Sequence, residues 1–120
     1  MAAHVVEDIV ALLGNLGAAG GVWYAVNTNE PATYPYLVVQ RIASEANVAL
    51  GGPSGLQNTR VQIDVYARRM ADAVALEGAI ESTMAAWAVQ NVPLTSQDFF
   101  DDIVRAFRVS KDYSIWSLNG

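Results

Sequence analysis

Two stretches of the chain place apolar residues at the spacing of an amphipathic helix. The first runs from His4 to Leu16 and the second from Met70 to Ala88. Their apolar stripes consist of Val5, Ile9, Leu12, Leu13 and Leu16 in the first, and of Ala73, Leu76, Ile80, Met84 and Trp87 in the second. In the second helix, Glu77 and Glu81 are expected on the solvent side.

Five further stretches are enriched in the β-branched and aromatic residues that favour strands. They are Val22 to Val26, Tyr36 to Ala46, Thr59 to Arg68, Val92 to Phe99 and Val104 to Trp116. The third shows the clearest alternation, because Val61, Ile63 and Val65 alternate with polar residues. Successive side chains of a strand point to opposite faces, so one face of this strand is predicted to be core and the other to be solvent-facing or an interface.

The order of the predicted elements is α-β-β-β-α-β-β. Runs of strands flanked by helices predict the α+β class, with an antiparallel sheet of about four or five strands and two helices packed on one face. The last two strands are expected to pair as a hairpin. A chain of 120 residues fits one domain, which we assign to residues 1–120.

The segment from Asn47 to Asn58 is rich in glycine and proline and is too long for a tight hairpin turn. We interpret it as a flexible loop or as a β-arm that orders on contact with a partner. The apolar residues within it are candidates for a subunit or partner interface, namely Val48, Leu50 and Leu56.

Composition narrows the classes of function that this chain can serve. Hydrophobic residues make up 52% of the chain, which is enough for a folded core, and the formal net charge is -5. An acidic protein gains nothing from counterion release on DNA, which argues against tight duplex binding but leaves room for surrounding DNA without adhering to it. The absence of cysteine excludes disulfides and thiolate sites. No signal-peptide pattern and no apolar run of about 20 residues is present, so we expect no membrane span.

The residue types that enzymes require are scarce. The single histidine is His4, near the chain start, and it is interpreted as a solvated terminal residue. The glycine-rich run Gly51 to Gly55 lacks the lysine of a phosphate-binding loop. The sequence therefore predicts no catalytic, metal-binding or cofactor-binding residues, no cofactor and no enzymatic activity.

Two groups of charged residues have alternative interpretations. Asp98, Asp101 and Asp102 are predicted to form a charged hairpin turn; the alternatives are a divalent-metal or acid–base site, and an acidic patch lining a channel. Arg68 and Arg69 end the third strand, where a solvated strand end is favoured over contact with an acidic partner or a phosphate.

Trp116 lies out of phase with the apolar face of the last strand. Phe107, Val109, Tyr113 and Ile115 share one parity, and Trp116 has the other. It is therefore expected to face away from the core. Two interpretations follow: an interface residue, since aromatic residues are enriched at interfaces, or a side chain covered by the chain's own N-terminus.

Several segments, in order, resemble the phage tail completion family, also called tail-to-head joining or tail terminator proteins. They are the entry Pro35-Tyr36-Leu37-Val38-Val39-Gln40, the strand Thr59 to Ala67, the helix Met70 to Trp87 and the closing strand Arg105 to Trp116. The first helix and the strand Val22 to Val26 also fit the opening of that family. The likeness extends over nearly the whole chain and rests on structural patterns, without a catalytic signature.

The resemblance implies a structural virion protein that is assembled in the host cytoplasm. It implies a homo-oligomeric ring, usually a hexamer, at the head-proximal end of the phage tail. The ring would cap the tube, contacting tail tube protein below and head–tail connector or stopper protein above. DNA would pass through the lumen without specific binding.

Two other functions remain open at this point. One is another neck or tail-tube component of a phage. The other, from a different class, is a small dimeric α+β enzyme or ligand-binding domain, which would need polar groups converging in a pocket. The oligomeric state separates them, since a ring with an open channel favours the tail component and a dimer with a pocket favours the enzyme.

Overall fold

In a computed structural model of the chain, two helices lie on one face of a five-stranded sheet. The structure describes residues 5–28, 31–49, 52–103 and 105–118, and for 44–49, 52–56, 117 and 118 it describes the backbone alone. The elements are α1 (Val5–Gly14), β1 (Val22–Tyr24), β2 (Tyr36–Ala49), β3 (Gly52–Ala67), α2 (Met70–Ala86), β4 (Asn91–Asp101) and β5 (Ala106–Leu118). The strands are arranged in the order β1-β2-β3-β5-β4.

The predicted element order and the α+β class are confirmed, but the sheet is mixed. β1 runs parallel to β2, with Val22 opposite Leu37 and Tyr24 opposite Val39, whereas the other three pairs of strands are antiparallel. The expectation of a wholly antiparallel sheet is therefore wrong at one edge. The chain between β1 and β2 returns to the end of the sheet where β1 began, so both strands run in the same direction.

The glycine-rich segment predicted as a loop is mostly β-structure. β2 and β3 stay paired as far as Ala49 opposite Gly52, so most of residues 47–58 belongs to a hairpin. Of the two interpretations, the β-arm fits; its ordering on a partner stays a prediction. Pro53 lies next to the turn, where the loss of one N–H is tolerated. Leu50 lies outside the described residues, as do the side chains of Val48 and Leu56.

The core lies between the helices and the sheet. α1 packs on β1 and β2, and α2 packs on β3 and β5. The fully buried residues include Ile9 and Leu13 of α1, Ile80 and Met84 of α2, and Leu37, Val39, Val61, Ile63, Val65, Val109 and Ile115 of the sheet. Each such side chain stabilises the fold by roughly 1.5–3 kcal/mol relative to an exposed one. The predicted stripe of α2 is confirmed, with Leu76 and Trp87 at its partly buried margin.

A lysine lies on the core-facing side of β5, between Val109 and Tyr113. Lys111 is 5% exposed, and its Nζ lies 3.0 Å from Glu81 Oε1 and 3.5 Å from Glu77 Oε2. The expectation that both glutamates face solvent is therefore wrong for Glu77, which is partly buried. A buried ammonium group needs such partners, because desolvation of an unpaired charge is costly. The two carboxylates thus tie the margin of α2 to the sheet.

Tyr113 lies beside this ion cluster, fully buried. Its hydroxyl has no hydrogen-bond partner within the part of the chain that the structure describes. Burial, with a smaller contribution from the carboxylates of Glu81 and Glu77, raises the pKa of Tyr113 to about 12. Since the ionised form is disfavoured in the folded state, the unfolded state releases this proton at lower pH.

We expect a methyl group at Gly20 to destabilise the fold. A Cβ there would overlap the carbonyl oxygen of Thr33 and lie 2.8 Å from Tyr36 Cβ, so Gly20→Ala should lower the free energy of unfolding by about 1–3 kcal/mol. Gly78 is the matched control, because nothing lies within 4 Å of a Cβ there. Gly78→Ala should raise stability by about 0.5–1 kcal/mol through helix propensity. Urea unfolding of both variants checks the pair, and equal shifts would contradict the close approach.

Tyr113→Phe should change the response of the fold to alkaline pH. At neutral pH we expect the free energy of unfolding to be unchanged or to rise by up to about 1 kcal/mol, because an unpaired buried hydroxyl is removed. In the wild type, the contribution of Tyr113 is complete below pH 10.0 and is lost as pH rises toward 12. The variant should lose less stability over this interval, by at most about 1.4 kcal/mol per pH unit. Urea unfolding across this interval measures the difference, and a steeper loss in the variant would refute it.

Candidate assembly surfaces

The face of the sheet opposite the helices, here called the outer face, carries paired polar groups. Arg108 Nη2 lies 3.3 Å from Asp64 Oδ2, and Arg60 Nη2 lies 3.6 Å from Asp112 Oδ2. Gln62 Nε2 donates to both carboxylate oxygens of Asp64 at 3.0 Å. The two ion pairs cross between β3 and β5, whereas the hydrogen bonds from Gln62 to Asp64 lie within β3. The polar side chains of the outer face therefore neutralise one another within the sheet.

One end of the outer face is aromatic. The rings of Tyr36 and Tyr66 stack at a centroid distance of 4.8 Å, and Tyr34 lies 5.3 Å from Tyr36. The guanidinium of Arg108 lies over the ring of Phe99 at 5.0 Å. Burial raises the pKa of Tyr36 to about 12. Tyrosine and arginine are common at interface hot spots, and these side chains are only partly buried, so this end is a candidate contact surface.

Arg68 and Arg69, the two arginines at the end of the third predicted strand, lie in different environments at the same end of the sheet. The Arg68 guanidinium lies 4.3 Å from the centroid of the Tyr34 ring, and its Nη1 donates to the carbonyl oxygen of Arg105 at 3.2 Å. Arg69 is exposed and occupies the N-cap position of α2, without a side-chain capping hydrogen bond. Arg68 is therefore held against the fold, whereas Arg69 projects from it.

The three aspartates of the acidic cluster are exposed and do not converge. Asp98 pairs with Val109, a core residue, so Asp98 lies on the helix-bearing face, and the alternation of β4 places Asp101 on the other. In the turn, Asp101 Oδ1 accepts a hydrogen bond from the backbone N–H of Ile103 at 2.9 Å. This geometry supports the interpretation as a charged hairpin turn. Within the described residues, no group of three acidic or histidine side chains is placed to hold a metal ion.

Trp116 lies on the outer face, as its parity predicts. Ile115 is fully buried on the core side, whereas Trp116 is partly exposed. Its backbone N–H donates to the carbonyl oxygen of Gln90 at 2.9 Å, which fixes the strand end beside the start of β4. The residue is therefore available for contact with a partner, and its role at an interface stays a prediction.

The edge strand β4 is a surface that the sequence pattern did not reveal. Residues 92–101 are all exposed, on both faces. The large apolar side chains on this strand and its turn are Val92 (46% exposed), Leu94 (44%), Phe99 (44%), Phe100 (45%) and Ile103 (93%). Exposed apolar patches of this kind mark interaction sites. The strand composition predicted β-structure correctly, but nothing in it indicated that no helix would cover the strand.

Three cavities open on the surface of the described part of the chain. The largest, of about 500 Å³, is lined by Val6, Glu7, Val10, Tyr24 and Arg41. A second, of about 440 Å³, is lined by Leu12, Ser82, Thr83, Ala86, Trp87 and Ala88. The third, also about 440 Å³, includes Lys111 and Tyr113, but the lysine is already occupied by two carboxylates. None of the three linings combines a nucleophile with a positioned base.

Most of the chain is similar to a known protein family. The sequence model of a family described as tail completion protein gp17 matches residues 7–117. No curated protein sequence matches the chain. Among the described residues, no helix has the length and apolar character needed to cross a membrane.

Trp116→Ala should weaken self-association more than it weakens the folded subunit. Because the side chain is partly exposed, we expect a loss of about 1 kcal/mol or less in the free energy of unfolding, against a roughly tenfold rise in the concentration needed for assembly. Trp87→Ala is the control, since Trp87 packs against the core and should cost more in stability. Sedimentation velocity and urea unfolding measure the two quantities, and unchanged sedimentation of the Trp116 variant would rule out this role.

Proposed function

Because the chain belongs to the tail completion protein gp17 family, we propose that it is the ring subunit that caps the head-proximal end of a phage tail. The match of that family to residues 7–117 carries the proposal. The family consists of structural phage tail proteins, so the chain is a virion component without an enzymatic role. The ring, its number of subunits and its neighbours in the virion are the proposed part.

The edges of the sheet support a ring. Subunits of a ring use two different surfaces, one for each neighbour, and the contact closes by rotation. This sheet ends in two different edges, β4 on one side and β1 with the later part of β2 on the other. Both carry exposed apolar side chains, for example Phe100 and Ile42. A subunit of this shape can meet a neighbour on each side without using the same surface twice.

The charge of the chain supports passage of DNA through the lumen. The formal net charge is -5, and the basic residues of the outer face are neutralised by carboxylates, as in the pairs Arg108–Asp64 and Arg60–Asp112. A lumen lined by such paired groups would repel phosphates weakly and would not bind them tightly. Of the predicted acidic lumen residues Asp98, Asp101 and Asp102, Asp101 lies on the outer face and fits this arrangement, whereas Asp98 lies on the helix-bearing face. DNA would then pass without specific binding.

The remaining contacts of the proposed ring are with the tail tube protein on one side and the head connector or stopper protein on the other. The hairpin formed by the ends of β2 and β3, which stay paired as far as Ala49 opposite Gly52, is the part that we assign to an axial contact. A six-fold ring is the number favoured by the family resemblance. The subunit could remain monomeric until a tube end orders it, since a template lowers the entropic cost of association.

Native mass spectrometry of the wild-type chain, at several concentrations and with or without isolated tail tubes, tests this function. We expect a closed ring of six copies, either in free solution or on tube ends alone, because each sheet edge meets a different edge of the next subunit. A stable dimer that ignores tubes would overturn the proposal. A tube-bound species in which the chain repeats along the whole tube would instead indicate a tube subunit.

A further inference from the structure

The large exposed apolar side chains of this subunit are concentrated at the two opposite edges of its sheet. Val92, Leu94, Phe99, Phe100 and Ile103 belong to β4 and its turn, whereas Tyr24, Val26 and Ile42 belong to β1, the residues after it and β2. Met70 and Val74, the two others among the described residues, lie on α2. Exposed apolar side chains on an edge strand favour association with another chain. Their concentration at both edges therefore indicates that both edges are contact surfaces.

Backbone hydrogen-bonding capacity is also open at both edges. β4 pairs with β5 on one side, and the described part of the chain places no strand on its other side. β1 covers β2 only at residues 37–39, so beyond Val39 β2 is paired with β3 alone. Each edge therefore presents N–H and C=O groups to which a further strand could be added, and on β2 these groups are interrupted by a register irregularity between Arg41 and Ala43.

Features that prevent an edge strand from pairing with another strand are present in only the first half of β4. Pro93 and the irregularity between Pro93 and Ser96 interrupt the first half of the strand. From Ser96 to Asp101 the register with β5 is unbroken, and both phenylalanines lie within this part. The second half of β4 is thus the portion suited to pairing with another strand.

Asp98 of the β4 edge and Arg41 of the β1/β2 edge have opposite charges and lie on the same face of the sheet, and Glu7 of α1 lines the same cavity as Arg41. Asp98 pairs with Val109 and Arg41 pairs with Val61, and both partners are core residues, so both charged side chains lie on the helix-bearing face. Asp98 and Arg41 are themselves exposed. If the sheet of one subunit continued into that of the next, its faces would be continuous and these charges would meet.

We propose that the β4 edge of one subunit, centred on Asp98, Phe99 and Phe100, binds the β1/β2 edge of a second copy, centred on Tyr24, Arg41 and Ile42. The contact is heterologous and therefore repeats around a ring, so this inference rests on the proposed function and identifies its subunit interface. Pairing of two β4 edges would instead bring Asp98 close to its own copy and is disfavoured by like charge. A second copy of this chain is thus the occupant that the charges favour.

Charge reversal at each edge tests the contact. Asp98→Lys and Arg41→Glu should each raise the concentration needed for ring assembly roughly tenfold or more, because like charges then face each other. Asp72→Lys is the matched control, with the same change in charge at an exposed position of α2, and it should assemble like the wild type. Circular dichroism and thermal unfolding confirm that each variant is folded.

Mixing the two reversed variants in equal amounts provides the decisive measurement. In an alternating ring, the new lysine of one chain faces the new glutamate of the next, and the unchanged Asp98 of that next chain faces the unchanged Arg41. We expect rings with an even number of subunits and a one-to-one composition by native mass spectrometry, under the conditions in which the wild type assembles. Neither variant alone should form them.

Each other outcome overturns the proposal in a distinguishable way. Assembly of the single variants at wild-type concentrations excludes this pair of edges, and so does a mixture that fails to assemble, while the ring function stands. Single variants that form rings but lose binding to tubes would place β4 against tube protein. A wild-type chain that forms no ring, alone or on tubes, would overturn the proposed function together with this interface.

Discussion

The packing of α2 across β3 and β5 decides which parts of the sheet are buried and which stay open. Ala73, Ile80 and Met84 of the helix are fully buried against the central strands. Lys111, bound by Glu77 and Glu81, marks the margin of this contact. Outside that margin lies β4, which pairs with β5 and touches α2 through Ser96, whose Oγ donates to Glu77 Oε2. Its residues 92–101 are nevertheless all exposed. The exposed edge is a direct consequence of where the helix sits.

The outer face shows how a sheet with helices on one side keeps its other side stable. Its strands satisfy charge within the layer, through Asp64 with Arg108 and Asp112 with Arg60. The more exposed pair, Arg60 with Asp112, contributes little net energy, on the order of 0–1 kcal/mol. Asp64 is buried, so its contact with Arg108 mainly offsets the desolvation of the carboxylate. The larger effect of both pairs is on specificity, because they leave few unpaired charges to attract an unintended partner. The outer face is therefore polar but has little tendency to bind other molecules, except at its aromatic end.

The sequence predicted the helices and strands better than it predicted which strands pair with each other. The alternation of Val61, Ile63 and Val65 and the parity of Trp116 identified the faces of the central strands correctly. Periodicity reports which way a side chain points, but not which strand lies beside it, so the parallel pairing of β1 was missed. Glycine and proline content left a flexible loop and a β-arm open for residues 47–58, and the β-arm fits, because β2 and β3 continue as a hairpin in which cross-strand pairing overrides local preference.

On the candidate assembly surfaces, too, some features were predicted from the sequence and others were not. The acidic turn was predicted from Asp101 and Asp102, and the geometry of Asp101 supports it. The exposure of Phe99 and Phe100 was not predicted, because an apolar residue in a strand is more often buried than open. Burial depends on coverage by an element distant in sequence. The buried position of Lys111 was missed for the same reason, since its carboxylate partners come from α2.

The interrupted register of β4 has a consequence for how long an added strand can be. Pro93 and the adjacent irregularity end regular pairing on one side, and the turn after Asp101 ends it on the other. A strand that pairs with β4 is therefore limited to the segment between these two interruptions. Its register along the edge is restricted, because a shift by two residues would move it past one of them. Fibrous β-assemblies require an edge without such limits. This strand is thus built for a finite contact with one alignment, which limits growth into fibres while leaving the surface open.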